Sequence, residues 1–154
     1  MIKTQLKHLC KNEGKDKAII FLHGYGANMH DLAPLAQFLD TENNYTWYFP
    51  DAPLDIPFDP YGSAKAWFPL DQEALEAAMK SGTFRDFKNN STPELTEAVN
   101  KTLQLVRDIS SNHKEVLIGG FSQGGMVSLN AMAMAPNFFQ GLVLHQDRWH
   151  HNHQ

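Results

Sequence analysis

The strongest constraint on this chain is a glycine-rich stretch that joins an apolar run to a helix-forming run. Residues 119–125 read Gly-Gly-Phe-Ser-Gln-Gly-Gly, follow the apolar run 115–118 and precede a stretch rich in Met, Ala and Leu. The pattern G-x-S-x-G places Gly120 and Gly124 around Ser122. At a sharp turn from strand to helix, only glycine avoids a clash at these two positions while the serine hydroxyl is exposed. A serine that merely caps a helix gives a similar pattern. The flanking strand and helix favour a nucleophile at Ser122.

Length and composition are typical of one folded domain. The 154 residues are 42% hydrophobic and 11% aromatic, and a chain of this size buries roughly two-thirds of its unfolded surface. The net charge of −4 is too small to indicate a polyanionic partner, so nucleic-acid binding has no support. Residues 1–20 lack the apolar segment of a signal peptide, and no stretch is long enough to cross a bilayer. We therefore expect a cytoplasmic protein without stable membrane insertion.

Hydrophobic patterning predicts strands that alternate with helices. Short apolar runs predict strands at residues 18–22, 45–49, 115–119 and 141–144. Helical spacing and capping residues predict helices at residues 32–39 with Asp31 as N-cap, at 72–80, at 92–110, and from 123 to the residue before Pro136. This order is typical of an α/β fold with a mostly parallel sheet.

Four motifs occur together in the order and spacing of one known family. They are His-Gly-Tyr-Gly-Ala-Asn at 23–28, Phe-Pro-Asp-Ala-Pro at 49–53, Ala-Trp-Phe at 66–68, and the serine turn at 119–125. With these motifs the chain resembles the phospholipase/carboxylesterase group of α/β-hydrolases, which includes the acyl-protein thioesterases. The resemblance covers residues 17 to about 144. It implies a mostly parallel sheet with helices on both faces, in a single domain that spans residues 1–154.

The resemblance also implies a mechanism. In this family the nucleophile corresponds to Ser122, and the backbone N–H groups of Tyr25 and Gln123 form the oxyanion hole. The loop that carries Trp67 lines the acyl pocket. The expected substrate is a small-molecule or lipid ester or thioester of a fatty acyl chain, and the family uses neither a metal nor an organic cofactor.

The end of the chain departs from the family pattern. In the family, two further strands follow the fourth, and the loops after them supply the aspartate and histidine of the catalytic triad. Here residues 145–154 read His-Gln-Asp-Arg-Trp-His-His-Asn-His-Gln, a polar tail without apolar periodicity. We therefore expect an incomplete domain that lacks the last strands. A natural truncation, a frame-shifted end and an abbreviated gene product are all compatible with the sequence, and the abrupt change to a polar tail favours a shifted or spurious end. Asp147 and His150 lie in the chain order of a triad and are candidates for a substitute acid and base, with coincidence as the alternative.

Two function hypotheses follow from these motifs. The first is a serine hydrolase that acts through an acyl-enzyme on Ser122. The second is an inactive fragment, or an acyl-binding pseudoenzyme that lacks the triad aspartate and histidine. Missing strands would also leave residues 141–144 as an apolar sheet edge, so the chain is expected to form homodimers through that edge.

Other histidines and glycines have plainer interpretations. His23 belongs to the loop motif and is interpreted as structural, while His8, His30 and His113 are predicted to lie on the solvated surface. The histidines of the tail are not held on one helix face, so no metal site is predicted. Met29 replaces the third glycine of a dinucleotide fingerprint, which disfavours nucleotide binding.

Overall fold

The computed structural model describes residues 6–57, 59–69, 92–139 and 141–144. The strands are β1 (His8–Lys11), β2 (Lys17–Leu22), β3 (Tyr45–Pro50), β4 (Leu54–Asp55), β5 (Lys65–Ala66), β6 (Glu115–Gly120) and β7 (Gly141–Leu144). The helices are α1 (Leu35–Leu39), α2 (Pro93–Ser110) and α3 (Gln123–Met134), followed by a 3₁₀ turn at Pro136–Phe138. All four strands predicted from apolar runs are present. The helix predicted at residues 72–80 lies outside the described residues.

A mostly parallel sheet forms the centre of the molecule. Its strand order is β1-β3-β2-β6-β7, and only β1 runs antiparallel to its neighbour. The chain winds from β2 to β3 on one side and returns to β6 on the other, so the strand order reverses between β2 and β6. Ligands of open α/β sheets bind at the carboxyl ends of the strands at such a reversal. Because Leu22 and Gly120 are paired at the ends of β2 and β6, the loops that follow them emerge side by side.

Alternating side chains of β2 supply two separate hydrophobic clusters. Ala18, Ile20 and Leu22 pack with the buried faces of α2 and α3. Ile19 and Phe21 point to the opposite face, where they join side chains from β3 and α1. The sheet is therefore covered by helices on both faces, as the α/β fold class predicts.

The position of helix α2 follows from its N-terminal cap and from the spacing of its apolar residues. Thr92 caps it by accepting a hydrogen bond from the Leu95 N–H at 3.1 Å, and Pro93 occupies the first turn, where its missing N–H costs little. Its apolar residues recur on one face and are buried. No helix in the described ranges combines the length and the apolarity that crossing a membrane requires.

Two local predictions differ from the structure. Helix α1 is shorter than expected, and Asp31 does not cap it, because its carboxylate accepts a hydrogen bond from the Asn28 N–H instead. Strand β1 and the small ribbon of β4 and β5 were not predicted. The ribbon strands have two residues each and β1 has four, too few to show a hydrophobic period.

Candidate active site

Ser122 occupies a strained backbone position between β6 and α3. Its φ is 58° and its ψ is −118°, a combination that costs a residue with a side chain about 1–3 kcal/mol. The side chain is exposed at the carboxyl end of the sheet. Strain of this kind persists only where surrounding packing fixes the backbone, and it is characteristic of functional sites.

Gly120 and Gly124 are the packing that fixes this turn. A β-carbon on Gly120 would lie 2.3 Å from the carbonyl carbon of Gly124. A β-carbon on Gly124 would lie 2.2 Å from the carbonyl oxygen of Leu22. Both contacts are with backbone atoms that cannot rotate away, so the two glycines let β6, α3 and the end of β2 meet.

The helix-capping interpretation of Ser122 is wrong. Ser122 stands at the N-cap position of α3, yet its side chain makes no capping hydrogen bond. A capping serine normally accepts a hydrogen bond from the second or third N–H of the helix. The hydroxyl is therefore not used by the helix, although the nucleophilic role of Ser122 stays a prediction.

The loop after β2 lies directly against the serine turn. A β-carbon on Gly24 would be 3.2 Å from Cβ of Ser122 and 3.2 Å from the carbonyl oxygen of Phe121. Neighbouring N–H groups are paired: that of Gly26 donates to the Lys65 carbonyl at 2.9 Å, and that of Gly124 donates to the Phe121 carbonyl at 3.0 Å.

Two backbone N–H groups near Ser122 differ from these neighbours. Within the described residues, neither the N–H of Tyr25 nor that of Gln123 donates to a protein acceptor. The Gln123 N–H belongs to the first turn of α3, where the helix dipole favours negative charge. These are the two N–H groups expected to form an oxyanion hole, and that role stays a prediction.

His23 holds the start of this loop through both nitrogens of its buried ring. The Ala52 N–H donates to Nε2 at 3.0 Å, so Nδ1 carries the ring proton and donates to the Gly24 carbonyl at 2.8 Å. Burial lowers the pKa of His23, because the charged form loses solvation. The imidazole is neutral with both nitrogens engaged, which confirms its interpretation as a structural residue rather than the catalytic base.

Trp67 and Gln123 join the ribbon to the same loop. The Trp67 side chain is fully buried, and its Nε1–H donates to the His23 carbonyl at 2.7 Å. The Gln123 side chain accepts from the Trp67 N–H through Oε1 and donates to the Phe68 carbonyl through Nε2, both at 2.8 Å. Pocket lining by Trp67 stays a prediction. Sequence reasoning missed these contacts because their partners are 44 to 56 residues apart.

The described part of the chain ends before the candidate acid and base. Asp147 and His150 lie outside the described residues. In the described part of the chain, no histidine is hydrogen-bonded to Ser122. No group of three or more His, Cys, Asp or Glu side chains there is arranged to hold a metal.

His113 is not the solvated residue predicted from sequence. Its Nε2 lies 2.7 Å from the Tyr48 hydroxyl and its Nδ1 lies 2.6 Å from the Lys15 carbonyl. His113 lies in the short segment between α2 and β6, and Tyr48 is 65 residues earlier in the sequence, so this contact was not evident from the sequence.

One cavity in the described part of the chain lies away from Ser122. It has a volume of about 650 Å³ and is bordered by α1, the end of β1 and the amino end of β3, including Lys11, Asp40 and Trp47. Ser122 emerges at the carboxyl end of the sheet. This cavity therefore plays no part in the candidate site.

Comparison with known proteins places these features in a family. The family model described as Phospholipase/Carboxylesterase matches residues 5–149. The chain is 28% identical over 144 residues to acyl-protein thioesterase 1 of Cryptococcus neoformans, covering 91% of this chain and 58% of that protein. It is 33% identical over 130 residues to acyl-protein thioesterase 1 of Schizosaccharomyces pombe, covering 82% of this chain and 54% of that protein. The chain thus spans less than two thirds of the length of these relatives.

Solved structures show the same architecture. The crystal structure of a carboxylesterase from Mesorhizobium loti matches with a TM-score of 0.67 at 14% identity, covering 90% of this chain and 59% of that one. A Bacillus cereus carboxylesterase matches with a TM-score of 0.63 at 16% identity, covering 91% of this chain and 59% of that one. At such low identity the likeness shows the fold alone, and it confirms the predicted α/β-hydrolase fold class.

Proposed function

This chain belongs to the phospholipase/carboxylesterase family, and on that premise we propose that it is a serine hydrolase that cleaves carboxylic esters or thioesters through an acyl-enzyme on Ser122. The observation that carries the proposal is the backbone of Ser122, with φ 58° and ψ −118° and an exposed side chain. Nothing in the turn itself requires a serine there, because the hydroxyl does not cap α3.

The reaction uses the hydroxyl and the two N–H groups around it. Oγ of Ser122 attacks the substrate carbonyl carbon while its proton passes to a base. The oxyanion that forms accepts hydrogen bonds from the N–H groups of Tyr25 and Gln123. When the tetrahedral intermediate collapses, the C–O or C–S bond breaks and the alcohol or thiol leaves with a proton. Water then attacks the acyl-enzyme, releases the carboxylic acid and restores the Ser122 hydroxyl.

The scheme requires a base that takes the proton of the Ser122 hydroxyl. His23 is excluded because both ring nitrogens are engaged. Asp147 and His150 remain the sequence-based candidates for acid and base. A histidine without a fixed position would activate Ser122 poorly, because catalysis falls steeply when a reacting group is misplaced by about 1 Å.

The surface around Ser122 supports an acyl substrate. The aromatic side chains of Phe121 and Tyr25 are 45% and 39% exposed and come from the two segments that meet at the site. Exposed aromatic rings at a functional site suit an apolar ligand. The relatives named acyl-protein thioesterase support the inclusion of thioesters among the substrates.

A fluorophosphonate probe tests the proposal, because it forms a covalent bond only with an activated serine. We expect labelling of the wild-type chain and its loss in Ser122→Ala, with hydrolysis of a short chromogenic ester falling at least about 1,000-fold. Ser111→Ala, at an exposed serine after α2, is the matched control and should label like the wild type. Equal absence of labelling in the wild type and Ser122→Ala would reject an activated serine.

A second candidate is acyl binding without turnover. The observation that favours it is that no histidine of the described residues is hydrogen-bonded to Ser122. In that case a fatty acid would raise the Tm while ester hydrolysis stays at background. Turnover that depends on Ser122 would contradict it.

A further inference from the structure

Gln123 contributes to the site through two different parts of the same residue. Its backbone N–H is one of the two N–H groups near Ser122 that have no protein acceptor in the described residues. Its side-chain amide points the other way, into the interior, and the residue is only 4% exposed. Both polar atoms of that amide are used, one by the Trp67 N–H and the other by the Phe68 carbonyl.

A continuous series of buried contacts runs from this amide to the segment that carries the second N–H group. The Gln123 side chain accepts a hydrogen bond from the Trp67 backbone N–H, and the Trp67 indole N–H donates to the His23 carbonyl at 2.7 Å. The His23 ring lies tilted by 35° against the Trp67 ring with centroids 5.4 Å apart, and its Nδ1–H donates to the Gly24 carbonyl. Tyr25 is the next residue.

The opposite end of the loop is held by the same ribbon. The Gly26 N–H donates to the Lys65 carbonyl, and the Lys65 N–H donates to the Ala27 carbonyl, both at 2.9 Å. Residues 65–68 therefore hold the chain on both sides of Tyr25 by hydrogen bonds. The last two of these residues are in turn hydrogen-bonded to the Gln123 side chain. A displacement of this ribbon would move the Tyr25 N–H while leaving the Gln123 N–H in place.

We propose that the Gln123 side chain is a positioning group for the oxyanion hole: it fixes residues 67 and 68, and through Trp67 and His23 it sets the place of the Tyr25 N–H relative to Ser122. This role rests on the proposed function. Donors of an oxyanion hole must lie about 2.7–3.1 Å from the developing charge, so a small shift of one donor weakens transition-state binding. The ground-state complex depends less on that donor.

Substitution of Gln123 separates positioning from substrate binding. Gln123→Met keeps the length of the side chain but removes both hydrogen bonds. We expect kcat for a short ester to fall about 100-fold with KM changed less than threefold, since the interaction lost is made in the transition state. Hydrogen exchange at the Trp67 amide should accelerate in the same variant. Gln37→Met, at an exposed position of α1, should match the wild type in both measurements.

Gln123→Glu provides an independent readout in the form of a pH profile. A carboxylate oxygen facing the Phe68 carbonyl is repelled, whereas a protonated carboxyl donates to that carbonyl as the amide does. The activity of this variant relative to the wild type should therefore rise as the pH is lowered. A parallel pH profile would overturn the positioning role, and this measurement decides the matter if Gln123→Met does not fold.

The outcomes distinguish the role of Gln123 from the proposed function. If the wild-type chain shows neither ester turnover nor fluorophosphonate labelling while its Trp67 amide is protected, the proposed function is rejected and this role with it. If the wild type reacts and folded Gln123→Met reacts equally fast despite rapid exchange at Trp67, only the positioning role is overturned. The positioning role is also contradicted if the variant keeps the wild-type kcat and its kcat/KM falls only because KM rises.

Discussion

The serine turn at residues 119–125 and the loop at residues 23–27, which carries one proposed oxyanion-hole donor and is called the oxyanion loop for that reason, lie against each other but are fixed by different means. The serine turn is fixed by the absence of side chains, since a β-carbon on Gly120 or Gly124 would overlap backbone atoms at 2.2–2.4 Å. The oxyanion loop is fixed by hydrogen bonds from Ala52, Lys65 and Trp67, which lie far away in sequence. One segment is set by steric exclusion and the other by a polar network.

This difference determines how each segment responds to change. Steric exclusion between backbone atoms has no alternative arrangement, so its failure affects the whole fold. A buried polar network can lose one bond and shift by a fraction of an ångström, with a cost of about 1–3 kcal/mol for each group left unsatisfied. Substitutions in the turn should therefore act on stability, and substitutions in the loop network should act on both stability and reaction rate.

The largest effect is expected for Gly124→Ala. The added β-carbon would lie 2.2 Å from the Leu22 carbonyl oxygen and 2.5 Å from that of His23, so β2 and α3 must separate. We expect destabilisation of about 3 kcal/mol or more, measured by urea unfolding. Gly62→Ala is the control: its φ is 65° but nothing lies within 4 Å of the added carbon, so a cost of only about 1 kcal/mol is expected. Equal costs for the two variants would contradict a steric origin.

Trp67→Phe should have an intermediate effect on stability and a selective effect on reaction. It removes the N–H that donates to the buried His23 carbonyl, and we expect a loss of about 2 kcal/mol in the free energy of unfolding. Fluorophosphonate labelling should also slow. Trp47→Phe is matched to it, because Trp47 is buried on the opposite face and donates through Nε1 to Asp40. That variant should lose comparable stability with an unchanged labelling rate, and equal slowing in both would show a general rather than a local effect.

The same contrast explains which parts of the molecule were predictable from sequence. Ser122, Gly120 and Gly124 were identifiable because they form one pattern within five consecutive positions, and the strands of the parallel sheet were identifiable from apolar runs. The side-chain role of Gln123 was not, because its partners lie 55 and 56 residues away and an amide has no sequence pattern that reveals them. His113 was misplaced for the same reason. Long-range polar contacts can be identified only from the finished topology, whereas the glycine pattern and the hydrophobic periods can be identified from the sequence.

The smallest effect is expected from the titration of His23, and it tests the polar network without removing an atom. Burial lowers the pKa of this residue from its ordinary value of 6.5, opposed by the Gly24 carbonyl and by the carboxylates of Asp51 and Asp31. Below pH 6.5 the unfolded chain therefore binds a proton at His23 that the folded chain does not bind. Because the unfolded chain binds more protons in this range, the free energy of unfolding rises with pH. It decreases as the pH falls from 6.5 toward the lowered pKa of the folded chain.

Protonation of His23 would also act on the site, because a charged ring cannot accept the Ala52 N–H at Nε2. As the folded chain is taken through the lowered pKa, that contact opens and the start of the oxyanion loop is released from Ala52, in the segment after β3. We expect the Tm to fall as the pH is lowered below 6.5, and the slope to become shallower in His23→Asn, whose amide can still donate to the Gly24 carbonyl. His30→Asn, at an exposed position, should keep the wild-type slope. If calorimetry instead gives parallel slopes for all three proteins, the loop is not held through the His23 ring, and its geometry must then come from the contacts of Lys65 and of the Trp67 indole N–H.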